Sequence, residues 1–250
     1  MPKLKLSACS RQTRAIRCPL GMRVRDALPS AVLFDMDGTL LDTEPIWFEA
    51  EISVAADLGF TWTDDDQAHC LGGPLERVGR YLVERSRSSR DSLEVSGVLL
   101  ARVEQLFRSS DIVWRPGAVD LLRDCLELDL PTALVTASSV NLVDAVHDRM
   151  AAELGTPPFD VLVTGDVVPH SKPHPAPYLM AAERLSQPIR DCLALEDSPT
   201  GVRSAWMSGC WVVAIPHIAQ LPDDLDPHVV DTLHGSSLLD LWSQARRRED

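Results

Sequence analysis

Five short, almost wholly apolar runs set the frame of this chain: Ala31 to Phe34, Thr132 to Val135, Val161 to Thr164, Cys192 to Leu195 and Val212 to Ile215. Each is strand-length and lacks the polar-apolar alternation of a half-exposed strand, so each reads as a strand buried on both faces, as in a parallel sheet. Between them lie segments with helical apolar spacing, Val119 to Leu128, Val140 to Leu154 and Pro177 to Leu185. Strand alternating with helix is the pattern of a doubly wound α/β fold, here with five parallel strands.

The gap after the first run is much longer than the others. About a hundred residues separate Ala31 from Thr132, whereas the later runs follow one another at crossover length. One crossover helix needs only a few tens of residues, so roughly 65 to 70 more must be housed after the first strand. Ile46 to Leu58, Leu75 to Arg85 and Leu93 to Phe107 carry helical spacing, with Ser86 to Ser92 as a polar joint. Residues 46–114 are therefore expected to form an inserted helical cap, and residues 29–45 with 115–245 the α/β core. Trp114-Arg115-Pro116-Gly117 marks the return.

With 250 residues, 45% hydrophobic and 24% charged, the chain can bury one large core and a small second one. Its first 25 residues hold seven basic side chains and no acidic one, leaving 17 basic against 37 acidic elsewhere. Residues 1–28 are expected to be a flexible basic extension or the product of a start codon assigned too early, Met22 being available. The acidic remainder argues against nucleic acid as a partner. No run of about 18 apolar residues spans a membrane and no secretory core precedes the first strand, so a cytoplasmic protein is expected; a monomer is expected as well. Six cysteines without a CxxC pair fit reduced thiols rather than structural zinc.

Asp35 and Asp37 flank Met36 directly after the first run, followed by Gly38 and Thr39. Ligands of open α/β sheets collect beyond the carboxyl ends of the strands, where both carboxylates arrive. Two acids side by side need a cation or a shared proton, unless the motif is no more than an acidic turn. Glu196-Asp197-Ser198 brings further carboxylates to the same edge, and hard oxygen ligands with room for water and phosphate suit Mg2+. Ser198 also fits a helix N-cap, with Pro199 at the first position and Gly209 as the stop. Thr136-Ala137-Ser138 ends the second run with a hydroxyl and free N–H groups suited to phosphate oxygens, although such triplets are often ordinary caps. Lys172 lies in a loop stiffened by Pro169, Pro173, Pro175 and Pro177; a lone loop lysine is otherwise a solvated charge. Pro173 keeps His170 and His174 off a common helix face, so they read as loop histidines.

Taken in order, Asp35-Met36-Asp37-Gly38-Thr39, Thr136, Lys172 and Glu196-Asp197 resemble the four motifs of the haloacid dehalogenase (HAD) superfamily over about Ala31 to Ile215. The insert, Asp42-Thr43-Glu44-Pro45 and Glu196-Asp197-Ser198-Pro199-Thr200-Gly201 are similar to its β-phosphoglucomutase-like and sugar-phosphatase-like branch. The resemblance implies a Rossmann-like core and a Mg2+-dependent phosphomonoester hydrolase working through an aspartyl-phosphate. It implies that Asp35 attacks phosphorus, that Asp37 is the acid and base, and that Thr136, Ala137, Lys172 and Gly38 bind phosphoryl oxygens. The metal set it implies is Asp35, Asp37 through its backbone carbonyl, and Asp197, with Glu196 supporting a metal-bound water.

A closing cap would add substrate contacts from Trp47, Gly72 and Gly73, although Trp47 also fits cap packing. In the mutases the position of Trp47 looks like a histidine, and a lysine and an arginine stand where this chain has Leu71 and Leu75. Hydrolysis of a small phosphorylated metabolite such as a sugar phosphate is therefore expected. A phosphosugar mutase is the alternative. A phospho-accepting signalling or binding domain is the alternative from another class, opposed by the chain length and the cap.

Overall fold

The computed structural model describes residues 27–70, 75–111, 113–217 and 220–247. The leader up to residue 26 and the expected cap contacts Gly72 and Gly73 lie outside the described residues. In chain order the elements are β1 (Ala31–Phe34), α1 (Glu44–Asp57), α2 (Asp64–Cys70), α3 (Leu75–Ser86), α4 (Ser92–Ser109), α5 (Ala118–Glu127), β2 (Thr132–Val135), α6 (Val140–Leu154), β3 (Val161–Val163), α7 (Ala176–Arg184), β4 (Cys192–Glu196), α8 (Pro199–Ser208), β5 (Trp211–Ala214), β6 (His228–Val229) and α9 (Leu238–Arg246).

The strands form one parallel sheet in the order β3-β2-β1-β4-β5-β6. The order reverses at β1, which opens a crevice beyond its carboxyl end between β2 and β4. Phe34 pairs with Leu134 on one side and Leu195 on the other, so the residues that follow these three emerge side by side. Period-two alternation divides the core. Val32 and Phe34 join the cluster that includes Leu121 of α5, Val143 of α6 and Leu241 of α9. Ala31 and Leu33 join the one that includes Tyr178 of α7 and Val202 of α8. The doubly wound architecture is as expected, with one correction: six strands rather than five. β6 is two residues long, with no apolar run to announce it.

Four helices, α1 to α4, fill the stretch between β1 and the return to the sheet. Leu82 and Leu99 are fully buried there, each such burial contributing about 1.5–3 kcal/mol. α2 escapes a periodicity search because its sequence, Asp64-Asp65-Asp66-Gln67-Ala68-His69-Cys70, buries only Asp66 and Cys70. Asp66 anchors it by accepting from Thr63 N at 2.9 Å, Thr63 Oγ1 at 2.7 Å, Tyr81 Oη at 2.6 Å and Arg85 Nε at 3.0 Å. The two connections to the sheet run side by side: Asp42 N donates to Val113 O and Arg115 N to Leu40 O, both at 2.8 Å, while Leu41 and Trp114 form an antiparallel bridge. Among the described residues no helix is long and apolar enough to cross a membrane.

Candidate active site

Asp35 continues β1 by one residue, its N–H bonded to Leu195 O at 3.1 Å, and so enters the crevice with its carboxylate 8% exposed. Lys172 arrives from the proline-stiffened loop before α7 and is buried rather than solvated. Its Nζ donates to Asp35 Oδ1 at 2.6 Å, Glu196 Oε1 at 2.5 Å and Val135 O at 2.9 Å. Burial works against a charged lysine, but Asp35 and Glu196 more than offset it and hold the ammonium above its ordinary pKa.

Glu196 ends β4 with no exposure at all. Oε1 accepts from Lys172 and from Tyr178 Oη at 2.7 Å, and Oε2 from Asp197 N, Ser198 N and Ser198 Oγ at 3.2 to 3.3 Å. Gly201, in the first turn of α8, lies against this carboxylate so closely that a Cβ would collide with it. Five donors occupy the group, which therefore orients Lys172 on one side and the start of α8 on the other. Ser198 also caps α8, accepting from Gly201 N at 3.0 Å, and Gly209 ends the helix with φ +85°.

Asp197 faces Asp35 across the crevice and accepts from Thr39 Oγ1 at 3.2 Å. Gly38 has φ +82°, and a Cβ there would meet the Asp197 carboxylate, so glycine is required twice over. Burial, then Asp35 and Glu196, push the Asp197 carboxyl up to about 9; burial, then Glu196, push Asp35 up to about 7 despite Lys172. Oxygens of Asp35, Glu196 and Asp197 lie within 4.8 Å of one another. One lysine cannot neutralise three carboxylates. The excess of negative charge and the all-oxygen donor set fit a hard divalent cation, with Asp35 and Asp197 offering oxygens less fully occupied than those of Glu196.

The side chain of Asp37 turns away from that group. Its Oδ2 accepts from Ser138 Oγ at 2.7 Å and Thr136 Oγ1 at 3.3 Å, while Oδ1 is buried without a hydrogen-bond partner. Thr136 and Ser138 spend their N–H groups internally, on Val163 O and Thr136 Oγ1, both at 3.0 Å. The triplet after β2 therefore has fewer free N–H groups than its sequence suggests. Trp47 is half-buried and packs against the main core cluster, and the rings of His170 and His174 lie 4.6 Å apart on their loop.

Sequence reasoning missed two participants. Ser138 was visible only as the third member of a capping triplet, and Tyr178 had no signal, since an aromatic residue inside a helical pattern reads as core.

The family model of haloacid dehalogenase-like hydrolases matches residues 29–208. The chain is 34% identical over 179 residues to the phosphorylated carbohydrates phosphatase of Thermotoga maritima, covering 72% of this chain and 81% of that protein. Hexitol phosphatase B of Escherichia coli is 29% identical over 188 residues, 74% of this chain and 83% of that one. Among solved structures, a CbbY variant from Rhodobacter sphaeroides in complex with xylulose-(1,5)bisphosphate superimposes with TM-score 0.69 at 27% identity, covering 86% of this chain and 99% of that one.

Proposed function

The chain belongs to the haloacid dehalogenase-like hydrolase family, and from that premise we propose that it is a Mg2+-dependent phosphatase of small sugar or polyol phosphates that turns over through an aspartyl-phosphate on Asp35. The observation that carries this reading is the separation of two carboxyls two residues apart. Asp35 is held by Lys172, and Asp37 is held by Ser138 and Thr136 with one oxygen unpartnered. That difference in surroundings supports reading Asp35 as the nucleophile and Asp37 as the acid and base.

In the first step an Asp35 oxygen forms a bond to phosphorus as the bond from phosphorus to the leaving oxygen breaks, and Asp37 gives its proton to that oxygen. In the second, Asp37 takes a proton from water as the water oxygen bonds to phosphorus, releasing phosphate and restoring the Asp35 carboxylate. Lys172, the Thr136 hydroxyl and the Ala137 N–H neutralise phosphoryl oxygens, with Gly38 allowing close approach. Glu196 keeps Lys172 aimed at Asp35. Mg2+ held by Asp35, Asp197 and the Asp37 backbone carbonyl would supply positive charge to the phosphoryl group and lift the repulsion between the carboxylates. Two relatives named as phosphatases of phosphorylated carbohydrates and of hexitols support the substrate class.

The test is phosphate release from a panel of sugar and polyol phosphates, with Mg2+ present or chelated, comparing wild type with Asp35→Asn. Release that needs Mg2+ and disappears in the variant is expected. An isomerised phosphosugar without free phosphate would instead make the chain a mutase.

A further inference from the structure

α1 carries a carboxyl that the chemistry above does not use. Glu51 is only 4% exposed, and its Oε2 is buried without a hydrogen-bond partner. An atom of that kind destabilises a fold unless something outside the chain satisfies it.

Its neighbours place it. Glu44, Trp47 and Glu51 recur three and four residues apart, along one face of α1. Glu44 is raised above its ordinary pKa by burial and next by the charges of Asp37 and Asp42, so it stands close to the proposed acid and base. Glu51 in turn is pushed up to about 7 by burial and then by Glu44. The face therefore leads from the reacting end of the site into the cap. Beyond Glu51 lies Cys70, a buried thiol pushed up to about 12 by burial and then by Glu51, and a weak donor at best. Arg77, the cation whose charge reaches Cys70, donates to His69 O at 2.8 Å.

We propose that Glu51 is the residue with which the cap reads the leaving group, its carboxyl hydrogen-bonding a hydroxyl of a sugar or polyol monophosphate that lies along the Trp47 face of α1. The inference rests on the phosphatase reading and narrows its substrate. The leaving group carries a hydroxyl beyond the ester carbon. It carries no second phosphate, because the charges of Asp37 and Asp42 reach Glu44 and that of Glu44 reaches Glu51, and a run of neighbouring carboxyls repels one.

The experiment compares kcat/KM of wild type, Glu51→Gln and Glu51→Leu at saturating Mg2+. The substrates are the best hydrolysed of sorbitol 6-phosphate, glucose 6-phosphate and ribose 5-phosphate, and p-nitrophenyl phosphate, whose leaving group has no further hydroxyl. The expected result is a fall of about 10- to 100-fold in the ratio of the two kcat/KM values for Glu51→Leu and a smaller fall for the isosteric Glu51→Gln. The Tm of Glu51→Leu should be no lower than wild type, since the change removes an unsatisfied group. An unchanged ratio in both variants, with hydrolysis intact, overturns the role of Glu51 and leaves the phosphatase reading standing. A wild-type chain that hydrolyses none of these esters overturns both.

Discussion

Tyr178 Oη donates to Glu196 Oε1 at 2.7 Å, sharing that oxygen with Lys172 Nζ at 2.5 Å. The Lys172 ammonium also sits 5.3 Å from the centre of the Tyr178 ring. A side chain wholly buried beneath the sheet thus helps to aim the cation that meets Asp35. Tyr178→Phe keeps the ring and removes only the hydroxyl. We expect kcat to fall about tenfold with KM little changed, as the loss of one hydrogen bond to a charged group implies. An unaltered kcat in steady-state phosphate release would show that Lys172 and the other donors hold Glu196 unaided.

Lys172→Met should be far more damaging. It leaves Asp35 and Glu196 facing each other without their shared cation and removes the charge proposed to bind the phosphoryl group. A loss of about 10²- to 10³-fold in kcat/KM is expected. Breaking this buried pair should also lower stability by about 3–5 kcal/mol, measured by urea unfolding.

Asp37 depends on the loop after β2. Ser138→Ala removes its shorter hydrogen bond, at 2.7 Å, and leaves Thr136 at 3.3 Å. A several-fold loss of kcat is expected for Ser138→Ala, against about 10²- to 10⁴-fold for Asp37→Asn, which removes the proposed acid and base itself. Equal losses in the two variants would mean that Ser138 acts on the phosphoryl group directly.

That loop illustrates what was legible beforehand and what was not. Asp35 and Glu196-Asp197 were visible because each follows or adjoins a short apolar run, and the carboxyl end of a parallel strand is where chemistry collects, whereas Lys172, in its proline-stiffened loop, stood out only by its place in the motif order. The strand bounds came out within a residue or so for the same reason. Distances across the crevice carry no local signature, so the turn of Asp37 toward Ser138, the saturation of Glu196 by five donors and the Tyr178 contact needed coordinates. α2 and β6 were missed because an acidic turn tied down by Asp66 and a two-residue edge strand have no apolar period.

Asp66 offers a pH test within the inserted helices. Burial alone would raise its pKa, but hydrogen bonds from Tyr81, Thr63 and Arg85 hold it well below the usual carboxylate range. A depressed folded pKa stabilises the fold fully above the unfolded value of about 3.9, and that contribution is lost as pH falls toward the folded value. Wild type should exceed Asp66→Asn by roughly 2 kcal/mol near pH 6, the gap closing below about pH 4. Denaturant melts across that range would check it, and a gap independent of pH would refute the linkage.

Mg2+ should stabilise the folded chain through Asp35 and Asp197. At about a hundred times its Kd, a ligand that binds only the folded state raises Tm by roughly 5 to 10 °C for a chain of this size. Thermal melts with and without Mg2+ should show that rise in wild type and its loss in Asp197→Asn.

The paired connections at Asp42–Val113 and Leu40–Arg115 have a consequence for how such a molecule diversifies. An insert whose two ends leave the sheet through adjacent, mutually hydrogen-bonded segments asks nothing of the layers beneath it. It can lengthen, shrink or be exchanged while β1 and the strands beside it keep their spacing. Ancestry can therefore rewrite what the molecule grips without rebuilding what it does to a phosphate, and grafting a foreign cap between Asp42 and Val113 is the laboratory form of the same freedom.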